Sequence, residues 1–457
     1  MGSVYKYGNR KSPVPDNHIQ KLPDNWFDQR VDHFNTNDTR TFKQRYFLNN
    51  KYYKTGGPVF LLVDGENEGQ DYLITKGAVS EYANRFNALL VDLEHRYYGQ
   101  SVPTKDLSVE NMQYLTVGQA LKDTEQFIGY LNRKLSLNNN TTKWIAFGGS
   151  YAGNLVAFLR EKYPHAVAGS VASSAPVQVR YDYKEYFVAV SKSLGTECSN
   201  QIRLAVNQLE NQLRTPIGWE AIGNELNLCS PLNGTDKLSV KHLMFGLTAP
   251  FTIAAQYNGR ANTIGVDQLC ALMTNGKDVL SPLQRYAKVV GQYFNGQCIG
   301  SNYSQYINII KDISIPSPAG WIRQWTYQMC TEFGYFWTTD DTDTPFGHNI
   351  PIEYYLSQCA DIFGKQFTPQ FIQKAIDRFN DNYGGFKLNV TNVVFPNGAV
   401  DPYHELSIVK DLNNSTRAIL MKTTGHGADM DPTLFTDPRE LTDARLAIQK
   451  QIQLFLQ

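Results

Sequence analysis

The 457-residue chain lacks an excess of either charge: 43 basic residues stand against 43 acidic ones, for a formal net charge of zero. It has no run of lysine and arginine and no basic stripe interleaved with aromatics, which argues against a nucleic-acid or anionic-membrane partner. Long apolar runs are missing too. Segments such as "VFLLV" (59–63) fall far short of the ~18 residues needed to cross a bilayer. Residues 1–20 have no apolar core of the signal-peptide kind, so a natural leader is expected to have been removed or replaced. There is no C-x-x-C pair to suggest zinc or a redox dithiol. Heptad arrays, internal repeats and low-complexity tracts are also absent, apart from the short "NNNTT" loop (138–142).

What is present points to export. Six widely spaced cysteines, Cys198, Cys229, Cys270, Cys298, Cys330 and Cys359, are even in number and read as disulfides, the alternative being buried free thiols in a cytosolic protein. N-x-[ST] sequons stand at Asn37, Asn139, Asn140, Asn233, Asn302, Asn389, Asn413 and Asn414, as in a glycoprotein. A secreted or endosomal/lysosomal location is therefore expected. The length exceeds the ~250–300 residues that one core usually serves, so the chain needs two domains or one domain with a large insertion.

From Gly57 to Pro176, continuous apolar runs alternate with amphipathic ones: "PVFLLVD" (58–64), "ALLVDLE" (88–94), "KWIAFGG" (143–149) and "AVAGSVASSAP" (166–176). Runs of that length suit strands buried on both faces. Between them, "TVGQALKDTEQFIGYLNRKL" (116–135) sets Val117, Ala120, Leu121, Ile128, Leu131 and Leu135 on one helical stripe, and "SYAGNLVAFLREKY" reads as a second helix ending before Pro164. Strands separated by helices imply a parallel sheet. After Val179 the pattern turns to helices and loops that hold all six cysteines. Strand signal returns at "NVTNVVFPNG" (389–398) and "STRAILMKTTGHG" (415–427), before a last helix in 438–457. The expected division is residues 22–179, a sheet domain's first part with a nucleophile; 180–376, a helical insertion; and 377–457, the second part.

The nucleophile in that reading is Ser150 in "GGSYAG" (148–153). A reactive serine projects from a turn so tight that residues two positions either side must be small, the physical content of G-x-S-x-G between strand and helix. Gly148 satisfies this, and Ala152 replaces the second glycine with Gly153 beside it. In this topology the order is serine, acid, histidine, the latter two on loops that follow strands. "NGAVDPYHE" offers Asp401 and "KTTGHGADM" offers His426. His404 competes as base but precedes the last strand, and Asp411 and Asp429 are the fallback acids. An oxyanion hole needs two backbone N–H groups; Tyr151, after the nucleophile, supplies one, and Gly65 or Glu66 in "VDGENEG" (63–69) the other.

These residues resemble the eukaryotic serine peptidases that include lysosomal Pro-Xaa carboxypeptidase, dipeptidyl peptidase II and thymus-specific serine protease. The similarity runs from "QRVDHFN" and "RTFKQRYFLN" through "GGPVFLLVDGE", "LEHRYYGQS", "GGSYAGNLVAFLREKYPH" and "SVASSAPV" to "WTYQMCTEFG" and "FPNGAVDPY". "SVASSAPV" together with Ala152 is most similar to the thymus-specific branch. The resemblance implies an α/β-hydrolase fold, a mostly parallel sheet flanked by helices, with a large helical, disulfide-bearing cap inserted before the acid. It also implies the triad Ser150, Asp401 and His426, and the bridges Cys198–Cys270, Cys229–Cys298 and Cys330–Cys359. The family loop "GGEG" or "GNEG" stands here as "DGEN" (64–67).

The expected activity is hydrolysis of peptide bonds through an acyl-enzyme by a Pro-directed exopeptidase, of carboxypeptidase or dipeptidyl peptidase type. An esterase or lipase on the same fold, or a non-catalytic peptide-binding relative, are the alternatives. No metal or organic cofactor is expected, and the partners are peptide substrates, with a homodimer as a further expectation. Glu66 and Glu332, with Asp340 beside them, are candidates for holding a substrate terminus. Glu94, His95 and Arg96 of "EHRYYG" are expected to form a buried ion-pair network under the serine turn.

Overall fold

Each apolar run of the first half becomes a strand whose alternate side chains enter two different cores. The strands are β1 (Asn25–Arg30), β2 (Thr41–Asn49), β3 (Val59–Val63), β4 (Leu89–Leu93), β5 (Trp144–Gly149), β6 (Gly169–Ser173), β7 (Arg180–Asp182), β8 (Gly334–Phe336), β9 (Val393–Gly398) and β10 (Thr416–Met421). The computed structural model describes residues 21–137, 141–260, 263–276, 279–340 and 343–457. On β3, Val59, Leu61 and Val63 face one core while Phe60 and Leu62 face the other; on β5, Trp144 and Ala146 oppose Ile145 and Phe147. Side chains alternate across a strand, so only a sheet covered on both faces needs such unbroken apolar runs.

The main sheet has the order β1-β2-β4-β3-β5-β6-β9-β10. The β1–β2 and β2–β4 pairs are antiparallel and every other neighbour is parallel. The two antiparallel strands at the edge are an addition to the sequence reading, which began its strands at Gly57. Their signal is the half-buried alternation of "TFKQRYF" at the start of β2.

Helices cover both faces. The helix Val117–Lys134 begins where the Thr116 side chain accepts from the Gln119 N–H, and it buries Val117, Ala120, Leu121, Ile128 and Leu131. Leu135, assigned to the same stripe from sequence, lies beyond the last helical residue and is 37% exposed. The helix Tyr151–Lys162 follows β5 directly, and Arg439–Phe455 closes the chain.

Between β7 and β9 the described elements are helices joined by loops, apart from β8, which pairs in parallel with β7. Cys198 is bonded to Cys270, Cys229 to Cys298, and Cys330 to Cys359. Where the chain leaves the sheet and where it comes back, Val179 and Asn380 bind each other reciprocally: the Val179 N–H donates to Asn380 Oδ1 (3.2 Å) and Asn380 Nδ2 donates to the Val179 carbonyl (2.9 Å). This parallel sheet, with helices on both faces and a helical cap inserted late in the chain, is an α/β-hydrolase fold. Among the described residues, one stretch, Lys237–Gln256, is long and apolar enough to cross a membrane, and 72% of it is buried inside the protein.

Candidate active site

Ser150 sits at the junction of β5 and the helix Tyr151–Lys162 with φ 60° and ψ −129°. A non-glycine residue held there stores about 1–3 kcal/mol of strain, so its surroundings must enforce it. The Ser150 N–H donates to the Ser173 carbonyl at 2.9 Å, which ties the turn to β6. A Cβ on Gly148 would lie 2.2 Å from the Ala152 carbonyl oxygen, and one on Gly153 would lie 2.8 Å from the Ser173 oxygen. Neither position accepts a side chain without moving backbone, whereas Ala152 carries its methyl at 5% exposure. The imperfect motif thus has a local reason: the second close approach falls on Gly153.

Asp401 and His426, each on a loop at the end of a C-terminal strand, are brought together. His426 Nδ1 lies 2.6 Å from Asp401 Oδ2, and both residues are buried. Asp401 Oδ1 accepts from the Tyr403 N–H (3.0 Å), and the His426 N–H donates to the Gln256 carbonyl (2.6 Å). A carboxylate at Nδ1 fixes the proton there and leaves Nε2 as the acceptor. His426 Nε2 is buried and has no hydrogen-bond partner. The rings of Tyr257 and Tyr403 flank the imidazole at 5.8 and 5.7 Å.

The histidine loop and the serine turn share one support, the end of β6. The Gly427 N–H donates to Ser174 Oγ at 2.9 Å, and Ser173 Oγ donates to Asp429 Oδ1 at 2.5 Å. Burial raises the Asp429 carboxyl to about 6. Asp429, a fallback acid in the sequence reading, is thereby occupied with Ser173. Asp411, the other, is exposed and binds Arg417 and the Ala418 N–H. His404 turns its Nδ1 to the Asp401 carbonyl (2.7 Å).

Gly65 lies against the start of the helix after Ser150: a Cβ built on it would be 3.4 Å from the Ala152 nitrogen and 3.5 Å from Tyr151 Cδ1. The first N–H groups of a helix have no intrahelical partner, and that of Tyr151 is the first in this one. The loop is backed by acids. Asp64 N–H bonds the Leu93 carbonyl (3.1 Å), and the enclosed carboxyl groups of Asp64 and Asp92 meet. Burial, then the charge of Glu94, pushes Asp64 up to about 8, and burial with the charge of Asp64 raises Asp92 as well. Enclosure and mutual repulsion favour the protonated form of both, since like charges cannot both ionise in that space.

"EHRYYG" is a network, with each charge paired to a separate segment. Glu94 bonds Arg45 (2.5 Å) and accepts from the Gly69 N–H (2.9 Å). Arg96 makes a two-pronged pair with Asp123, both contacts 2.6 Å. His95, between them, is neutral, its pKa pushed down to about 4 by burial.

The three candidate substrate acids have different surroundings. Glu332 accepts from the Val117 N–H through both oxygens (3.0 and 3.1 Å), and burial raises it to about 8. Its carboxyl therefore serves the N-terminus of the helix Val117–Lys134. Asp340 accepts from the Ile352 N–H (2.8 Å). Glu66 is half-buried. Burial chiefly, with Glu66 among the neighbouring charges, raises the phenols of Tyr98, Tyr151 and Tyr403. Asn37, Asn233, Asn302, Asn389, Asn413 and Asn414 are exposed; Asn139 and Asn140 lie outside the described residues. Among the described residues, no three histidine, cysteine, aspartate or glutamate side chains are grouped to hold a metal ion. Sequence reasoning passed over Ser173, Gln256 and Gln328, because nothing local marks a side chain whose partner lies in a distant segment.

A family model described as Serine carboxypeptidase S28 matches residues 29–448. A serine protease of Caenorhabditis elegans is 35% identical over 443 residues, covering 92% of this chain and 86% of its own. The human Thymus-specific serine protease is 32% identical over 447 residues (94% and 86%), and the human Lysosomal Pro-X carboxypeptidase 30% over 453 residues (92% and 85%). The chain belongs to the serine carboxypeptidase S28 family and is a serine-type peptidase.

Proposed function

We propose, from that membership, that the peptidase works through Ser150, His426 and Asp401. The observation that carries the reading is the buried Asp401–His426 pair of 2.6 Å with His426 Nε2 bare. Ser150 Oγ attacks the scissile carbonyl carbon while His426 Nε2 takes its proton. The oxyanion is held by the N–H groups of Tyr151 and Gly65. The tetrahedral intermediate expels the amine, which receives the proton from His426. Water, activated by the same nitrogen, then opens the acyl-enzyme.

The substrate is a peptide cut near one end with proline on the acyl side of the bond, in keeping with the carboxypeptidase named among the relatives. Glu66, half-buried in the "DGEN" loop next to Gly65, is the group we assign to a substrate amine; Glu332 is bonded to the Val117 N–H. Three disulfides and exposed sequons support a secreted or endolysosomal setting, and a homodimer is the assembly to look for by light scattering.

A fluorophosphonate probe tests the nucleophile: labelling at acidic and neutral pH should vanish in Ser150→Ala, and equal labelling of the two proteins would sink the assignment. Proline peptides with free or blocked ends test the rest. Cleavage of doubly blocked peptides as fast as free ones overturns end-selectivity, and a free N-terminus whose advantage survives Glu66→Gln removes Glu66.

A further inference from the structure

We propose that His95, Tyr151 and Gln328 form a proton-ordered chain that orients the oxyanion-binding N–H of Tyr151 and makes the cap part of the catalytic machinery. The inference rests on the reading of Ser150 as nucleophile.

Each proton in the chain has one place. The Arg96 carbonyl can only accept, and His95 Nδ1 lies 2.7 Å from it, so Nδ1 carries the hydrogen and Nε2 is bare. The Tyr151 hydroxyl, 2.9 Å from Nε2, must donate to it. That hydroxyl accepts in turn from Gln328 Nε2 at 3.0 Å. Gln328 Oε1 accepts from the Tyr98 hydroxyl at 2.6 Å, which fixes the orientation of the amide. His95, Tyr98, Tyr151 and Gln328 are all at most 3% exposed, so water cannot substitute for a missing partner. The neutral state of His95, held by burial, is the only one the chain accepts. An imidazolium would face the Tyr151 hydroxyl with a second donor.

Three features tie this chain to the reaction. Tyr151 is the first residue of the helix after Ser150, so its ring and its oxyanion-facing N–H turn about the same Cα. The ring is enclosed by Trp325 and Phe333 of the cap, at centroid distances of 5.7 and 5.2 Å. Gln328 ends the cap helix Ile322–Gln328, so the cap grips the residue that carries the oxyanion donor. In this role His95 and Gln328 are positioning residues, and the hydroxyl of Tyr151 acts through its own backbone.

The test uses the whole chain, a proline-containing peptide nitroanilide, a peptide boronate that mimics the tetrahedral intermediate, and the product peptide as ground-state ligand. Removing an oxyanion donor costs about 100- to 1,000-fold in kcat, and misaiming one should cost less, about 10- to 100-fold. Tyr151→Phe, which keeps the ring, and His95→Leu are expected to show that loss in kcat, with KM and product-peptide affinity within about twofold and boronate affinity weakened in parallel. His95→Gln, which keeps an acceptor, should recover most of the turnover. If Tyr151→Phe turns over like the parent, the proposal is overturned. It is equally overturned if KM, product affinity and melting temperature worsen together with kcat, or if His95→Gln fares no better than His95→Leu. Failure of the underlying reading is a separate result: fluorophosphonate labelling that persists in Ser150→Ala.

Discussion

The two regions that meet at the oxyanion corner are held by different physics. The serine turn is held by sterics: Gly148 and Gly153 admit no side chain, and the Ser150 N–H is bound by a carbonyl, none of which titrates. The "DGEN" loop is backed by buried acids: Asp64 and Asp92, both raised by burial, and Glu94, which is paired with Arg45. One region should be intolerant of added atoms, with Asp429 behind Ser173 as the titrating group at its support. The other should tolerate small changes of shape and respond to protons.

The largest effect is expected where sterics rule. Gly148→Ala puts a methyl into the Ala152 carbonyl, and displacement of the serine should lower kcat/KM by about 1,000-fold, read by active-site titration and steady-state rates. A Gly148→Ala protein with near-parental rates would show that the turn can relax. Next, Arg45→Met removes the partner of a carboxylate at 0% exposure; leaving such a charge uncompensated costs about 3–5 kcal/mol, measurable by urea unfolding.

The third prediction follows from sign. Asp64 and Glu332 are raised to about 8, with Asp92 raised too and Asp429 to about 6. Acids with raised folded values keep protons that the unfolded chain has lost, so they favour folding fully below about pH 4 and lose that effect as pH rises through the folded values. His95 and His242, lowered to about 4 by burial, act oppositely: their neutral burial is fully favourable above about pH 6.5 and is lost as pH falls toward 4. Above pH 6.5 only the acids remain, so the melting temperature should fall from there to pH 9. Asp64→Asn should flatten that slope; an unchanged slope would remove the acid pair from the explanation. The smallest effect belongs to the exposed Lys43–Asp28 pair, where Lys43→Ala should change stability by less than about 1 kcal/mol at any pH.

The same contrast governs what the sequence disclosed. Sheet strands and the serine turn were legible because their constraints are local: an unbroken apolar run requires two covered faces, and Gly148 lies two residues from the serine it serves. Asp401 and His426 were legible by chain order. The acid pair was not, because Asp64 and Asp92 come from different strands and become neighbours only through the β3–β4 register, where Val63 pairs with Leu93. Glu332 illustrates the same limit. Beside "WTYQMC" it read as a candidate for holding a substrate terminus, and its partner is the Val117 N–H, 215 residues earlier in the chain. The strands β1 and β2 escaped notice since neither carries an unbroken apolar run: charged and polar residues such as Asp28, Lys43, Gln44 and Arg45 interrupt them.

The reciprocal bond between Val179 and Asn380 has a consequence for how such molecules diversify. The cap leaves the sheet and returns to it through a single stapled gate, so chain can be lengthened, shortened or exchanged beyond the gate while the strands keep their register. Any graft must still restore an amide donor for the Tyr151 hydroxyl in place of Gln328. Modularity here is therefore conditional, since the cap also supplies the Gln256 carbonyl that holds the His426 N–H and the Glu332 carboxyl that receives the Val117 N–H.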